Sequence, residues 1–300
     1  MKTMRALALA AAAVGAAVVA TGAAGARHSS VCPNGQVRFG VEPYDSGAKF
    51  MGAYESLTKA LQTNLGCPVK LIVTNNYTAE VEAMRAKQLD VGEFGPLGYI
   101  FAHKLANALP VAAFGTMERK PVTYTAGLWV PASSSIQNVA QLKGKTVAFS
   151  DPASTSGNLF PRYAIIKAGL NPNSDVKIEF AGGHPQSLLA LTNGKVDAAE
   201  VNSQQQATAQ AAGQFDPSQY REIWKSPPIP NDPITVRGDL PSAFKASFAK
   251  ALLKLRPAQL KLVDTELGVD SGPMIAATDA MYAPIRALVI TEKLGIKDIG

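Results

Sequence analysis

Three hydroxyls and a glycine, Ser154, Thr155, Ser156 and Gly157, lie between the apolar run Thr146-Val147-Ala148-Phe149 and a helical pattern carried by Tyr163, Ile165, Ile166 and Leu170. A helix that opens on small polar residues leaves several backbone N–H groups without intrahelical acceptors, and the positive end of its dipole adds to them. Such a turn binds anions. The hydroxyls supply further donors, and Gly157 lets a tetrahedral oxyanion approach the backbone closely. The purely structural alternative is that Ser-Thr-Ser caps the helix and does nothing more.

A strand must deliver this turn and a helix must follow it, and the whole chain repeats that arrangement. The runs Val37–Val41, Val69–Val73, Leu89–Phe94 and Pro110–Phe114 alternate with helical patterns such as Phe50, Tyr54, Leu57, Leu61 and Leu65. An extended segment, Val122–Val130, leads into a second alternating unit with strands at Val147–Phe149, Val176–Phe180 and Val196–Val201. The stretch Ser226–Pro233 reads as a proline-rich turn, and residues 240–300 read as mostly helical. The expected fold is therefore α/β with two lobes, each a mostly parallel sheet flanked by helices, joined by a hinge that the chain crosses twice. The expected division is 27–121 plus 235–300 for one lobe and 122–234 for the other. Open α/β sheets bind ligands just beyond the carboxyl ends of their strands. That rule selects Tyr77, Tyr99, Ser154 to Gly157, His184, the run Asn202-Ser203-Gln204, and Asp232.

Composition narrows the partners. Residues 1–26 carry Lys2 and Arg5, an apolar run from Ala6 to Ala20, and Ala24-Gly25-Ala26, the pattern of a cleavable secretory signal. The expected location is the periplasm. The formal charge is +6 for the whole chain and +4 once Lys2 and Arg5 are removed. This mild excess suits small anions, and no basic run of the kind nucleic acids need is present. No cofactor or metal is indicated, since the three histidines show no ligand spacing with cysteines or carboxylates. Cys32-Pro33 and Cys67-Pro68 each precede a strand. If those strands are parallel neighbours, the two cysteines share a sheet edge and are expected to form a disulfide in an oxidising compartment.

In order along the chain, Asn76-Tyr77, Asp90-Val91-Gly92, Phe94-Gly95-Pro96, Asp151-Pro152, Ser154-Thr155-Ser156-Gly157, Gly183-His184, Asn193 to Ala199 and Ser226 to Pro233 resemble the phosphate, phosphite and phosphonate class of periplasmic binding proteins that serve ABC importers. The likeness runs from about Val37 to Pro241. It implies a type II periplasmic binding fold, a monomer that captures a phosphorus oxyanion between its lobes, and an inner-membrane permease as partner. It also implies that Ser154, Thr155 and Ser156 grip the oxyanion with Tyr77, Tyr99 and His184. Where family members bind aminoalkyl phosphonates, two carboxylates hold the ammonium. Their places fall at Gln204 and Asp232, and Gln204 departs from the pattern. Losing one carboxylate removes charge from a cation site but keeps a hydrogen-bond acceptor, which turns the expectation toward phosphite, phosphate or a simple alkyl phosphonate. Glu93 and Glu200, both near strand ends, are the residues that could restore the charge.

Two other readings stand beside this one. The same fold could serve another small anion, such as a sulfonate. A hydrolase built from Ser154, His184 and Asp232 is the second, but the serine lacks the Gly-x-Ser-x-Gly elbow and three successive hydroxyls suit anion donors better than one nucleophile.

Overall fold

The structure, a computed structural model, describes residues 32–45, 47–269 and 272–298. The expected signal segment 1–26 lies outside the described residues. Among the described residues, twelve strands and nine α-helices position the site. The first unit runs β1 (Val37–Val41), α1 (Ala48–Leu65), β2 (Val69–Val73), α2 (Tyr77–Arg85), β3 (Val91–Glu93), α3 (Pro96–Ala106) and β4 (Leu109–Ala113). After β5 (Thr123–Tyr124), the second unit comprises β6 (Gly127–Pro131), β7 (Thr146–Phe149), α4 (Phe160–Lys167), β8 (Lys177–Phe180), α5 (His184–Thr192), β9 (Ala198–Glu200), α6 (Ser203–Ala211) and β10 (Tyr220–Lys225). The chain returns through β11 (Ile229–Pro230) and β12 (Pro233–Val236), then ends in α7 (Ser242–Leu253), α8 (Pro257–Glu266) and α9 (Ala283–Glu292).

These strands form two five-stranded sheets, ordered β2-β1-β3-β12-β4 and β8-β7-β9-β6-β10, with β5 and β11 as a separate antiparallel ribbon. The two orders are the same pattern. In each sheet the fourth strand alone runs against the rest, and it is the strand that arrives from the other unit. This reciprocal exchange is what two α/β lobes with a double crossing require. One part of the sequence reading is corrected here. The stretch Ser226–Pro233 is not a turn throughout, since Ile229–Pro230 form β11 and Pro233 opens β12, a strand flanked on both sides in the first sheet. Its leading Pro233 disguised it, since proline is tolerated at the first residue of a strand.

Local chemistry sets the helix ends that face the site. The Asn76 side chain accepts from the Ala79 N–H at the start of α2, and Asn202 accepts from the N–H groups of Gln204 and Gln205 at the start of α6. Both sheets carry apolar residues on both faces, as parallel sheets covered by helices do. Phe39, Phe50, Tyr54, Phe244 and Phe248 fill the core of the first. A separate apolar cluster crosses between the units, with Phe94, Leu97 and Tyr99 against Leu159, Phe160, Tyr282 and Ile285.

β1 and β2 are parallel neighbours with Val37 opposite Val69, which brings Cys32 and Cys67 together in a disulfide with Cα atoms 6.6 Å apart. Its closed loop of about 36 residues is worth roughly 3 to 4 kcal/mol in the chain-entropy treatment. A Cys67→Ser variant is expected to lose about that much stability in denaturant unfolding. A midpoint equal to that of the parent would show that the bridge constrains little.

Candidate functional site

The anion-binding turn is built by its own side chains. Asp151 Oδ1 accepts from the Ala153 N–H at 2.8 Å, and Ser154 Oγ accepts from the Gly157 N–H at 3.1 Å, which tightens Thr155–Leu159 into a π turn ahead of α4. Ser154 is thus a helix cap, as the structural alternative held, and its hydroxyl proton is still free to donate. The N–H groups of Thr155 and Ser156, in the first turn, have no acceptor inside the helix. Thr155 Oγ1 accepts from the Leu97 N–H of α3 at 2.8 Å, a bond between the two lobes. Ser156 Oγ accepts from Asn202 Nδ2 at 3.3 Å.

His184, at the start of α5, presents Nε2 to Ser154 Oγ at 3.3 Å, while its Nδ1 meets Glu200 Oε1 at 2.8 Å. Burial favours the neutral ring, but the charge and hydrogen bond of Glu200, with help from Asp232 and Asp151, outweigh it and raise the imidazole pKa. The cationic form of the ring is thereby favoured beside the hydroxyl-rich turn.

Two tyrosines complete the donor wall. Tyr77 Oη is buried and has no partner among the described residues, and Tyr124 faces the hydroxyls of Thr155 and Ser156. Burial first, and nearby carboxyls second, push both phenols well above their ordinary range, so they remain donors at neutral pH. These groups share one cavity. From the first lobe it also receives Glu42, Tyr44 and Gly95, from the residue just ahead of β12 Asp232, and from α6 the side chains of Gln204, Gln205 and Thr208. Burial pushes the Asp232 carboxyl up to about 7, less a small relief from His184.

Of the residues selected from sequence, Tyr77, Ser154, Thr155, Ser156, His184, Asn202, Gln204 and Asp232 line this cavity, and Ser203 does not. Tyr99 does not. Its hydroxyl donates to Asp279 Oδ1 at 2.5 Å and its ring packs on Tyr282, so the helical phase of α3 turns it away from the cleft. Gly157 is behind the wall, with its N–H given to Ser154 and its missing Cβ turned toward Ser150 rather than toward the cavity. The Gln204 amide nitrogen has no partner among the described residues and makes no bond to Asp232. Glu93 accepts the Tyr54 hydroxyl at 2.6 Å and Glu200 serves His184, so neither carboxylate is on the wall. The histidine's acidic partner is consequently Glu200, not the Asp232 of the hydrolase reading. Sequence reasoning missed Glu42, Tyr44 and Tyr124. Tyr124 precedes the second lobe in a two-residue crossing strand, where the strand-end rule has nothing to select. Among the described residues no cluster of histidine, cysteine and carboxylates could hold a metal ion, and no helix is long and apolar enough to cross a membrane.

Two α/β lobes of matching strand order, with a buried cavity between their strand ends, define a type II periplasmic binding protein. The chain belongs to the family of periplasmic phosphonate substrate-binding proteins of ABC transporters, whose profile matches residues 39–282. It is 27% identical over 267 residues to the phosphonates-binding periplasmic protein of Escherichia coli, covering 87% of this chain and 78% of that one. It is 30% identical over 196 residues to the phosphate-import protein PhnD of Mycolicibacterium smegmatis, covering 61% of this chain and 60% of that protein's length. The crystal structure of a binding component of a Pseudomonas aeruginosa ABC phosphonate transporter superposes with a TM-score of 0.77 at 26% identity, over 86% of each chain.

Proposed function

We propose that this protein captures a compact phosphorus oxyanion, a phosphate, phosphite or simple phosphonate, in the interlobe cavity and presents it, as a monomer, to an inner-membrane ABC permease. One observation carries the reading: hydroxyls, first-turn amides, two neutral phenols and a raised-pKa imidazole converge on a single buried cavity. Relatives named for phosphate import and for phosphonate binding support the same ligand class. In this reading residues 1–26 direct export and are removed. The lobes part near 122 and 235, where the β5–β11 ribbon acts as the hinge, and ligand capture and closure are one equilibrium.

The chain Ser154–His184–Glu200 has the outline of a nucleophile relay, yet its chemistry suits binding. Glu200 raises the pKa of the imidazole, so the cationic form of the ring is favoured beside Ser154. As an anion ligand the same cation is an asset. A sulfonate would satisfy the donor wall equally, and titration separates the two.

Titration calorimetry with phosphate, phosphite, methylphosphonate and a sulfonate tests the reading. Because Tyr77 Oη has no partner among the described residues, Tyr77→Phe costs the fold little, and its loss appears in binding. We expect Tyr77→Phe and Tyr124→Phe each to weaken phosphorus oxyanion binding by about 1 to 3 kcal/mol, and Tyr99→Phe to leave it unchanged. Parent-like affinity in the first two variants would move the site elsewhere.

A further inference from the structure

The wall facing the donors holds a carboxyl that no motif reading selected. Glu42 follows β1 directly, is 3% exposed, and lines the cavity with Asp232. The Gly95 N–H faces its carboxyl, and Gly95 lacks the Cβ that would come within 2.8 Å of Oε1. Its other oxygen, Oε2, is buried and has no hydrogen-bond partner among the described residues. A carboxyl oxygen so placed costs free energy in the empty protein unless something entering the cavity meets it.

We infer that Glu42, with Asp232, reads the fourth substituent of the bound phosphorus, and that it selects a hydroxyl there over a methyl group. The inference rests on the oxyanion reading above. A tetrahedral ion that turns three oxygens to the Ser154–Ser156 turn, the tyrosines and His184 directs its fourth substituent to the carboxyls of Glu42 and Asp232. A P–OH group there donates to one carboxyl oxygen and accepts from a protonated neighbour. A methyl group satisfies neither and seals Glu42 Oε2 away from water.

The protonation of the pair fits a hydroxyl better than an ammonium. Burial, then the nearby charges of Asp232 and Glu80, hold Glu42 well above the ordinary carboxylate range. Glu42 is therefore a neutral carboxyl that can both give and take a hydrogen bond. An ammonium would draw its full benefit only if Glu42 also ionised, adding a second buried negative charge beside an anionic ligand. Gln204, across from the pair on α6, offers an unpartnered amide N–H that can donate to the same hydroxyl oxygen.

Competition binding of phosphate, methylphosphonate and 2-aminoethylphosphonate to the parent, Glu42→Gln and Glu42→Leu tests this, with thermal unfolding of each variant as the check on folding. The parent is expected to prefer phosphate over methylphosphonate by about tenfold or more, the scale of one buried acceptor left unmet. Glu42→Gln, which keeps shape and polarity, should retain most of that preference. Glu42→Leu should erase or reverse it through tighter methylphosphonate binding. A preference unchanged in folded Glu42→Leu, or a parent that favours methylphosphonate, overturns the inference while leaving the oxyanion reading in place. A parent that favours 2-aminoethylphosphonate overturns the hydroxyl and assigns the donor to an ammonium. A parent that binds none of the three overturns the oxyanion reading and this inference with it.

Discussion

Gly157→Ala is expected to weaken phosphate binding by more than about a hundredfold while leaving the lobes folded, because it displaces the anion turn from behind. A Cβ at residue 157 would lie 1.7 Å from Ser150 Oγ, 2.7 Å from Ser150 Cβ and 2.9 Å from Ser154 Oγ. Rotating the Ser150 side chain clears the first contact, since that hydroxyl has no partner among the described residues to hold it. It does not clear the second, which belongs to an atom fixed to the backbone after β7. The turn must therefore move outward, and with it the Ser154 cap and the first-turn amides beside the cavity. Displacements of this order are costly when several donors must address one small ion together. Ser150→Gly in the same chain removes both of the nearer obstacles and should restore affinity to within about tenfold of the parent, a reversal that general destabilisation would not produce. Titration calorimetry on the single and double variants, with circular dichroism to establish the fold, gives the answer. Parent-like affinity in Gly157→Ala would show that the turn is not where the anion binds.

The same glycine shows where sequence reasoning reached and where it stopped. The position is legible as special because a buried strand, three hydroxyls and a helix start meet there, and those are local properties. The reason it must be glycine is not local, since it depends on how Ser150 is turned at the end of β7. Tyr99 and Tyr124 differ in the same way. A strand-end rule selects Tyr99, but three residues into α3 the helical phase directs its ring toward Tyr282 and its hydroxyl toward Asp279. Tyr124 belongs to a crossing strand that no periodicity marks, and it reaches the cavity because the second lobe folds back over it. Glu42-Pro43 reads as an ordinary polar loop. Only the packing of that loop over Gly95, with no Cβ between them, turns its carboxyl inward and away from solvent. The sheets were easier. Runs such as Val69–Val73 and Thr146–Phe149 declare themselves by their mostly apolar, β-branched character, whereas β12 is hidden by Pro233 at its head.

Asp232→Asn is expected to stabilise the empty protein, and to do so increasingly from pH 4 to pH 8. Burial pushes this carboxyl from 3.8 up to about 7. Between those values the folded chain keeps a proton that the unfolded chain releases, so the folded state loses stability as pH rises through the window and the loss levels off above it. At pH 8 the accumulated cost is on the order of 4 kcal/mol, about 1.4 kcal/mol for each pH unit separating the two states. An asparagine carries no proton to release and retains the size and polarity of the site. For a chain of this length the difference corresponds to a rise of roughly 5 to 15 °C in the unfolding midpoint at pH 8, and to little at pH 4. Glu93, pushed up to about 8 chiefly by burial and further by the charge of Asp232, acts with the same sign, so the substitution relieves part of its cost as well and widens the difference between variant and parent. Scanning fluorimetry across that pH range, in buffers free of phosphate, measures it directly. Parallel curves would mean that Asp232 ionises in the folded protein as readily as in water. A widening gap would mean that the fold carries a pH-dependent penalty for a carboxyl buried in the lining of its cavity.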